Sequence, residues 1–143
     1  MLEKEFITRK IKLIHENLKE LEVLAKYSFK ELLSDFIKTS AVERILEKII
    51  MRALDINQHI IAELGEGTEK IRGYEDTYVA LVKLKVYPES FGKKIAPSAG
   101  LRNRLVHEYN DTDAKIIYAS VKDAISQYTK YCDYILRFIE KIK

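Results

Sequence analysis

Residues 40–64 read SAVERILEKIIMRALDINQHIIAEL, and the spacing of their apolar side chains decides the fold class. Ile45, Leu46, Ile49, Ile50, Ala53, Leu54, Ile56, Ile60, Ile61 and Leu64 recur at steps that keep them on adjoining faces of an α-helix. They cover more than half of its circumference. A helix with so wide an apolar surface is expected to be buried on two sides, against its own bundle and with another subunit as a candidate for part of the cover. Gly65-Glu66-Gly67 then stops the helix with residues suited to a left-handed cap, and a polar loop leads to Gly73.

Working outward, residues 3–26 place Phe6, Ile7, Ile11, Ile14, Leu18, Leu21 and Leu24 on one stripe, with Lys and Glu opposite and pairs such as Glu16/Lys19 adding weak support. Residues 28–38 read as a short connection with one or two helical turns around Leu32, Leu33 and Phe36. On the other side, residues 75–87 (Val79, Leu81, Val82, Leu84, Val86) predict a shorter helix. Pro88 suits the first turn of the next, which should run to residue 109 or so, kinked or restarted at Pro97. Asn110-Asp111-Thr112-Asp113 is a helix-start cluster. The last helix should then turn Ile116, Ile117, Val121, Ala124, Ile125, Tyr128, Cys132, Ile135 and Phe138 inward. With no repeat and no linker, the expectation is one all-α domain over residues 1–143, an antiparallel four- to five-helix up-and-down bundle.

Composition narrows the chemistry. With 47% hydrophobic and 33% charged residues, the 143-residue chain has enough apolar content to bury a core. Its 25 Lys and Arg against 22 Asp and Glu leave a charge of +3, which excludes non-specific polyanion binding through net charge alone. One cysteine, Cys132, excludes a disulfide framework or a cysteine-rich zinc site. His15, His59 and His107 match no zinc-ligand spacing, so no metal site is expected. No apolar run approaches the ~20 residues needed to span a bilayer, and the first residues do not resemble a signal peptide. A cytoplasmic protein without membrane partners is the expectation.

One stretch stands apart from generic bundle sequence. Residues 101–109, Leu-Arg-Asn-Arg-Leu-Val-His-Glu-Tyr, crowd Arg102, Asn103, Arg104, His107 and Tyr109 together. Histidine titrates near physiological pH and can remove and return protons. Arginine presents a permanent fork of donors that matches phosphate oxygens. The pair suits cleavage of a ribose–phosphate backbone without metal: His107 deprotonates a 2′-hydroxyl, and Arg102 stabilises charge developing on the phosphate. Tyr109 can bind phosphate or stack on a base, and Arg104 is either a phosphate contact or a surface cation. On a regular helix Arg102 and Tyr109 are about 20° apart, whereas Arg102 and His107 are about 140° apart. Convergence on one phosphate therefore needs a distorted helix or a symmetric dimer that faces two copies across a cleft. The dimer is favoured, because it also accounts for the broad apolar surface of residues 40–64.

The string Arg102-Asn103-Arg104-Leu105-Val106-His107-Glu108-Tyr109 resembles the Arg-x4-His-x-Tyr signature of HEPN-domain ribonuclease toxins, and in particular the toxin half of HEPN/MNT (HepT/MntA) toxin–antitoxin pairs. Residues 41–50, followed by Ala53-Leu54-Asp55-Ile56, are similar to the family's second long helix. The resemblance implies a homodimeric all-α bundle with a cofactor-free, metal-independent RNA-cleaving cleft at the dimer interface. Arg102 and His107 would be the catalytic pair and Asn103 a polar supporting residue. Tyr109 would be the residue that a partner nucleotidyltransferase antitoxin adenylylates, blocking the cleft. Asp55 matches an acidic position that would orient Arg102 or His107 from across the bundle. Pro97 departs from the pattern, standing where a helix-compatible residue is expected.

Two blander readings compete. In one the Arg/His/Tyr cleft is a non-catalytic module that binds a nucleotide or a partner; in the other the bundle is an oligomerisation scaffold. His15 and His59 read as helix-flank residues, and Cys132 as core. Tyr128, Tyr131 and Tyr134 read as packing or interface, and the lysines of both terminal helices as a solvated face.

Overall fold

The computed structural model describes residues 1–67, 70–101 and 111–142, and every regular element among them is helical. Helix α1 spans Lys4–Leu24, α2 Phe29–Leu33, α3 Phe36–Leu64, α4 Tyr74–Lys83 and α5 Glu89–Ile95. A 3-10 turn over Ala96–Ala99 follows, and α6 runs over Asp111–Lys141. At about 1.5 Å per residue, α3 and α6 are each more than about 40 Å long and form the long axis of the bundle.

Helix α1 buries Ile7, Ile11, Ile14, Leu18 and Leu21 along the stripe that their spacing predicts. It packs against α3 and α6 and runs antiparallel to both. At its start, the Glu3 backbone N–H donates to His59 Nε2 at 3.0 Å and Lys4 Nζ bonds the Ile142 carbonyl, so α1 begins where α3 and α6 end. Just beyond its last turn, the Tyr27 carbonyl accepts from the Tyr118 hydroxyl at 3.1 Å, close to where α6 begins.

The short connection proves more ordered than its length suggests. Ser28 and Glu31 form a reciprocal capping box on α2. Asp35 then caps α3 by accepting from the backbone N–H groups of Ile37 and Lys38 at 3.0 and 3.3 Å. That cap starts α3 at Phe36, four residues before the apolar pattern becomes strong. The bond to the Lys38 ammonium, first among the causes, holds the Asp35 carboxyl below its ordinary range.

Helix α3 buries Val42, Ile45, Leu46, Ile49, Ile50, Ala53, Leu54, Ile56 and Ile60, and half-buries Ile61 and Leu64. Its broad apolar surface is covered within the chain, by α1, α2, α4 and α6. No second subunit is needed to account for it. Among the described residues, the most exposed large apolar side chains after Met1 are at the α2–α3 junction, where Phe36 is 82% and Ile37 78% exposed.

Several punctuation marks act differently from expectation. Gly65 ends α3 in an extended conformation (φ −69°, ψ 153°), and the left-handed residue is Gly67, at φ 78°. Helix α4 stops at Lys83, so the buried Val86 belongs to the turn after it rather than to a helix through residue 87. Lys85 makes that turn at φ 64°. Pro88 is the extended residue before α5 and not a member of its first turn. Pro97 sits at the head of the 3-10 turn, where its missing N–H costs no bond, so the helix restarts there in a tighter form. Along α6 the inward stripe is Val121, Ala124, Tyr128, Tyr131, Cys132, Ile135 and Ile139. Ile116 is exposed, while Ile125 and Phe138 are half-buried at the edges. Among the described residues no helix is long and apolar enough to cross a membrane.

Candidate active site

The candidate residues Arg102, Asn103, Arg104, His107 and Tyr109 lie outside the described residues. What is described is the frame on either side of them. Leu101, the residue before Arg102, is buried in the core, and α6 begins at Asp111, two residues after Tyr109.

The upstream anchor is a hydrogen-bonded cluster of buried hydroxyls. Ser98, in the 3-10 turn, has its Oγ 2.6 Å from the Tyr128 hydroxyl of α6, which is itself 2.6 Å from the Tyr78 hydroxyl of α4. The Tyr78 carbonyl in turn accepts from the Tyr87 hydroxyl at 2.7 Å. A second group joins α3, α4 and α6. Tyr131 donates to Asn57 Oδ1 at 2.6 Å, with the Ala53 carbonyl 3.1 Å from the same hydroxyl. Asn57 Nδ2 donates to Thr77 Oγ1 at 3.1 Å, and Thr77 donates to the Tyr74 carbonyl at 2.7 Å. Among the described residues no buried side-chain nitrogen or oxygen lacks a partner. Satisfied networks of this kind specify one packing arrangement, because any shift leaves a buried donor or acceptor unpaired.

Burial governs the ionisation of this cluster. It pushes the Tyr128 hydroxyl up to about 12 against the opposing pull of the bonds to Ser98 and Tyr78. Burial first, and then neighbouring tyrosines, raises Tyr78 and Tyr131 well above the ordinary tyrosine range. The Cys132 thiol is pushed up to about 12, mainly by burial, and so stays neutral core. These groups are structural at neutral pH and do not move protons.

Beside the same turn lies an open cleft of about 370 Å³. Ser98, Gly100 and Leu101 form one edge, and Ser120, Asp123 and Gln127 form the other, on a single face of α6. Leu101, which precedes Arg102 in the sequence, therefore lines this cleft.

Asp55 lies on the α3 face toward α1, paired with Lys10 at 2.9 Å and half in solvent. His59 accepts from the Glu3 backbone N–H and packs against Phe6 with ring centres 5.2 Å apart, a helix-flank role. Tyr128 and Tyr131 are core residues, whereas Tyr134 is half-buried against Tyr87 and Phe91. The frame residues Asn57, Thr77, Tyr78 and Ser98 were not singled out by motif. The visible signal is Asn57, a polar residue inside the apolar stripe of α3, where burial demands a partner.

The profile of the family described as Ribonuclease HepT-like matches residues 14–135. The tRNA nuclease HepT of Aphanizomenon flos-aquae (strain 2012/KM1/D3) is 35% identical over 130 residues, which span 91% of this chain and 87% of that protein. Among solved structures, the chain superposes on a toxin–antitoxin MntA–HpeT mutant with a TM-score of 0.81 at 20% identity, covering 93% of this chain and 98% of that one. A tri-AMPylated Shewanella oneidensis HEPN toxin in complex with MNT antitoxin gives a TM-score of 0.80 at 20% identity, with 92% and 97% covered. These two likenesses establish the fold, and the match over residues 14–135 establishes descent: the chain belongs to the HepT-like ribonuclease family.

Proposed function

We propose that this chain is an RNA endonuclease toxin that cleaves without metal and is silenced by a nucleotidyltransferase antitoxin. His107 takes the proton from a ribose 2′-hydroxyl, and the resulting oxygen attacks the adjacent phosphorus. The bond from phosphorus to the 5′-oxygen breaks, and that oxygen receives a proton as it leaves. Arg102 holds the phosphate oxygens while charge builds on them. Asn103 supports the pair, and Asp55 is the candidate orienting carboxylate. Adenylylation of Tyr109 by the antitoxin adds bulk and negative charge where the RNA phosphate must sit.

The observation that supports this reading is the octapeptide's position in the sequence of a HepT-like ribonuclease, between Leu101, next to the hydroxyl-locked 3-10 turn, and Asp111, where α6 begins. A dimer that pairs two such segments is supported by the exposed Phe36 and Ile37. They lie at the same end of the bundle as the start of α6, because Phe29 of α2 packs on Tyr118 with ring centres 5.3 Å apart. The similar tRNA nuclease and the toxin–antitoxin structures supply the substrate class and the partner class.

The test is cleavage of a labelled RNA in EDTA by the chain expressed without a partner, beside its His107→Ala and Arg102→Ala forms. Cleavage by the parent, reduced about 10²–10⁴-fold by loss of His107, is expected. Products should end in a 2′,3′-cyclic phosphate and a 5′-hydroxyl, as read by mass spectrometry. 5′-Phosphate ends overturn the mechanism. No cleavage by a chain with unmodified Tyr109 moves the assignment to a non-catalytic binding module.

A further inference from the structure

At the far end of α6 from the octapeptide, a groove of about 430 Å³ opens between the α4–α5 turn and the last turns of α6. Tyr87 and Tyr134 form its inner wall, Phe138 extends that wall, and Lys85, Arg137 and Lys141 also line it. The wall is braced from behind, since Tyr134 packs against Phe91 and Tyr87 with ring centres 4.9 and 5.9 Å apart.

The charges are uncompensated. Among the described residues, none of the three cations has an ion-pair partner. Glu89, the acidic residue lining the groove, is occupied by Lys93 at 2.8 Å. One feature here runs against local stability. Lys85 is the non-glycine residue with positive φ among those described, at a position where glycine would be unstrained. A partner rich in phosphate would give this arrangement a use.

We infer that this groove is a second RNA-binding site, remote from the cleaving segment. It takes backbone phosphates on Lys85, Arg137 and Lys141 and stacks a base on the Tyr134–Phe138 wall, the combination of basic groove and aromatic face that holds unpaired nucleotides. The inference rests on the RNA-cleaving function proposed above. Arg137 lies about 15–26 Å along α6 from Gln127 and Ser120, which line the cleft beside Leu101, so only an RNA long enough to span that distance can engage both places.

The test uses the triple variant Lys85→Gly/Arg137→Gln/Lys141→Gln, in which glycine suits the backbone at residue 85. Steady-state cleavage of unfractionated transfer RNA is compared with cleavage of a dinucleotide, which has one scissile bond and is too short to span the distance. KM for transfer RNA should rise about tenfold with kcat unchanged, and KM for the short RNA should stay within twofold. Equal KM values for parent and variant on transfer RNA overturn the site. A binding isotherm reads the site without catalysis. The slope of log affinity against log salt for labelled transfer RNA should flatten by about two to three units, one counterion-release contribution for each cation removed. If the parent cleaves neither RNA but its salt slope flattens in the variant, the groove stands and the nuclease reading falls. An unchanged slope removes the groove as an RNA site, including the case in which the variant instead loses a protein partner or changes oligomeric mass.

Discussion

Tyr128 contributes a single oxygen atom to the frame of the candidate site, yet that oxygen joins three segments distant in sequence: the 3-10 turn through Ser98, α4 through Tyr78, and α6 itself. Replacing it by phenylalanine keeps the ring and its packing against Tyr131, whose centre is 5.8 Å away, but leaves two buried hydroxyls short of a partner. We predict that Tyr128→Phe costs about 1–3 kcal/mol in a urea titration, more than an exposed tyrosine would. A midpoint equal to that of the parent would show that the Ser98 and Tyr78 hydroxyls re-pair without it. At this scale the sequence is a partial guide. It marks Tyr128 as inward by its helical position, but the hydroxyl's partners lie 30 and 50 residues away, and no local pattern specifies them. Asp55 makes the same point: its place near the edge of an apolar stripe is legible, whereas its pairing with Lys10 follows from the antiparallel register of α1 and α3.

Between elements, the close fit of α4 against α5 turns on Gly92. A Cβ added there would lie 2.4 Å from Val82 Cγ2 and 3.3 Å from Tyr87 Cε1. Valine is stiff at χ1 and cannot swing aside, so α5 must move. Gly92→Ala is predicted to destabilise the protein by about 1–3 kcal/mol, measured as a lowered thermal midpoint by circular dichroism. A midpoint at or above the parent's would mean that α5 shifts without cost. Helix existence was readable from spacing at α1, α3 and α6, where long apolar stripes leave little choice. Boundaries were less so. Asp35 starts α3 early because its carboxylate can reach two free N–H groups, whereas the restart at Pro97 was legible from the proline itself and only its 3-10 form was not. Lys85 is invisible to any such rule, since lysine is not a residue that local preference places at φ 64°.

For the molecule as a whole, the core tyrosines set a limit on alkaline stability. Tyr78, Tyr128 and Tyr131 have hydroxyls raised by burial, Tyr128 to about 12, against an ordinary value of 10.0. In the unfolded chain they lose protons at the ordinary value, while the folded chain keeps them neutral. Their contribution is therefore complete below pH 10 and is lost as pH rises through 12. Helical signal should hold to about pH 10 and then fall cooperatively, with tyrosinate absorbance of the core residues rising in the same transition. Full tyrosinate absorbance in a chain that stays helical would sink this account of the core.

The division between sequence and tertiary structure has a plain physical basis. Helical periodicity, few breakers and a near-neutral balance of charge sufficed for an all-α bundle, because backbone period and hydrophobic burial are local properties of a chain. The octapeptide Arg102–Tyr109 likewise stands out in the sequence, since the chemistry proposed for it resides in residue types at close spacing. Only the fold decided that the broad face of α3 is covered by its own chain, and that Phe36 and Ile37 at its start stand largely in solvent. Only the fold likewise brought Ser98, Tyr128 and Tyr78 together ahead of Arg102, and drew Lys85 to the far end of α6 beside Arg137 and Lys141. Contacts between residues distant in sequence depend on how elements pack, and packing is set by the shape and polar pairing of the whole core rather than by any one stretch of chain.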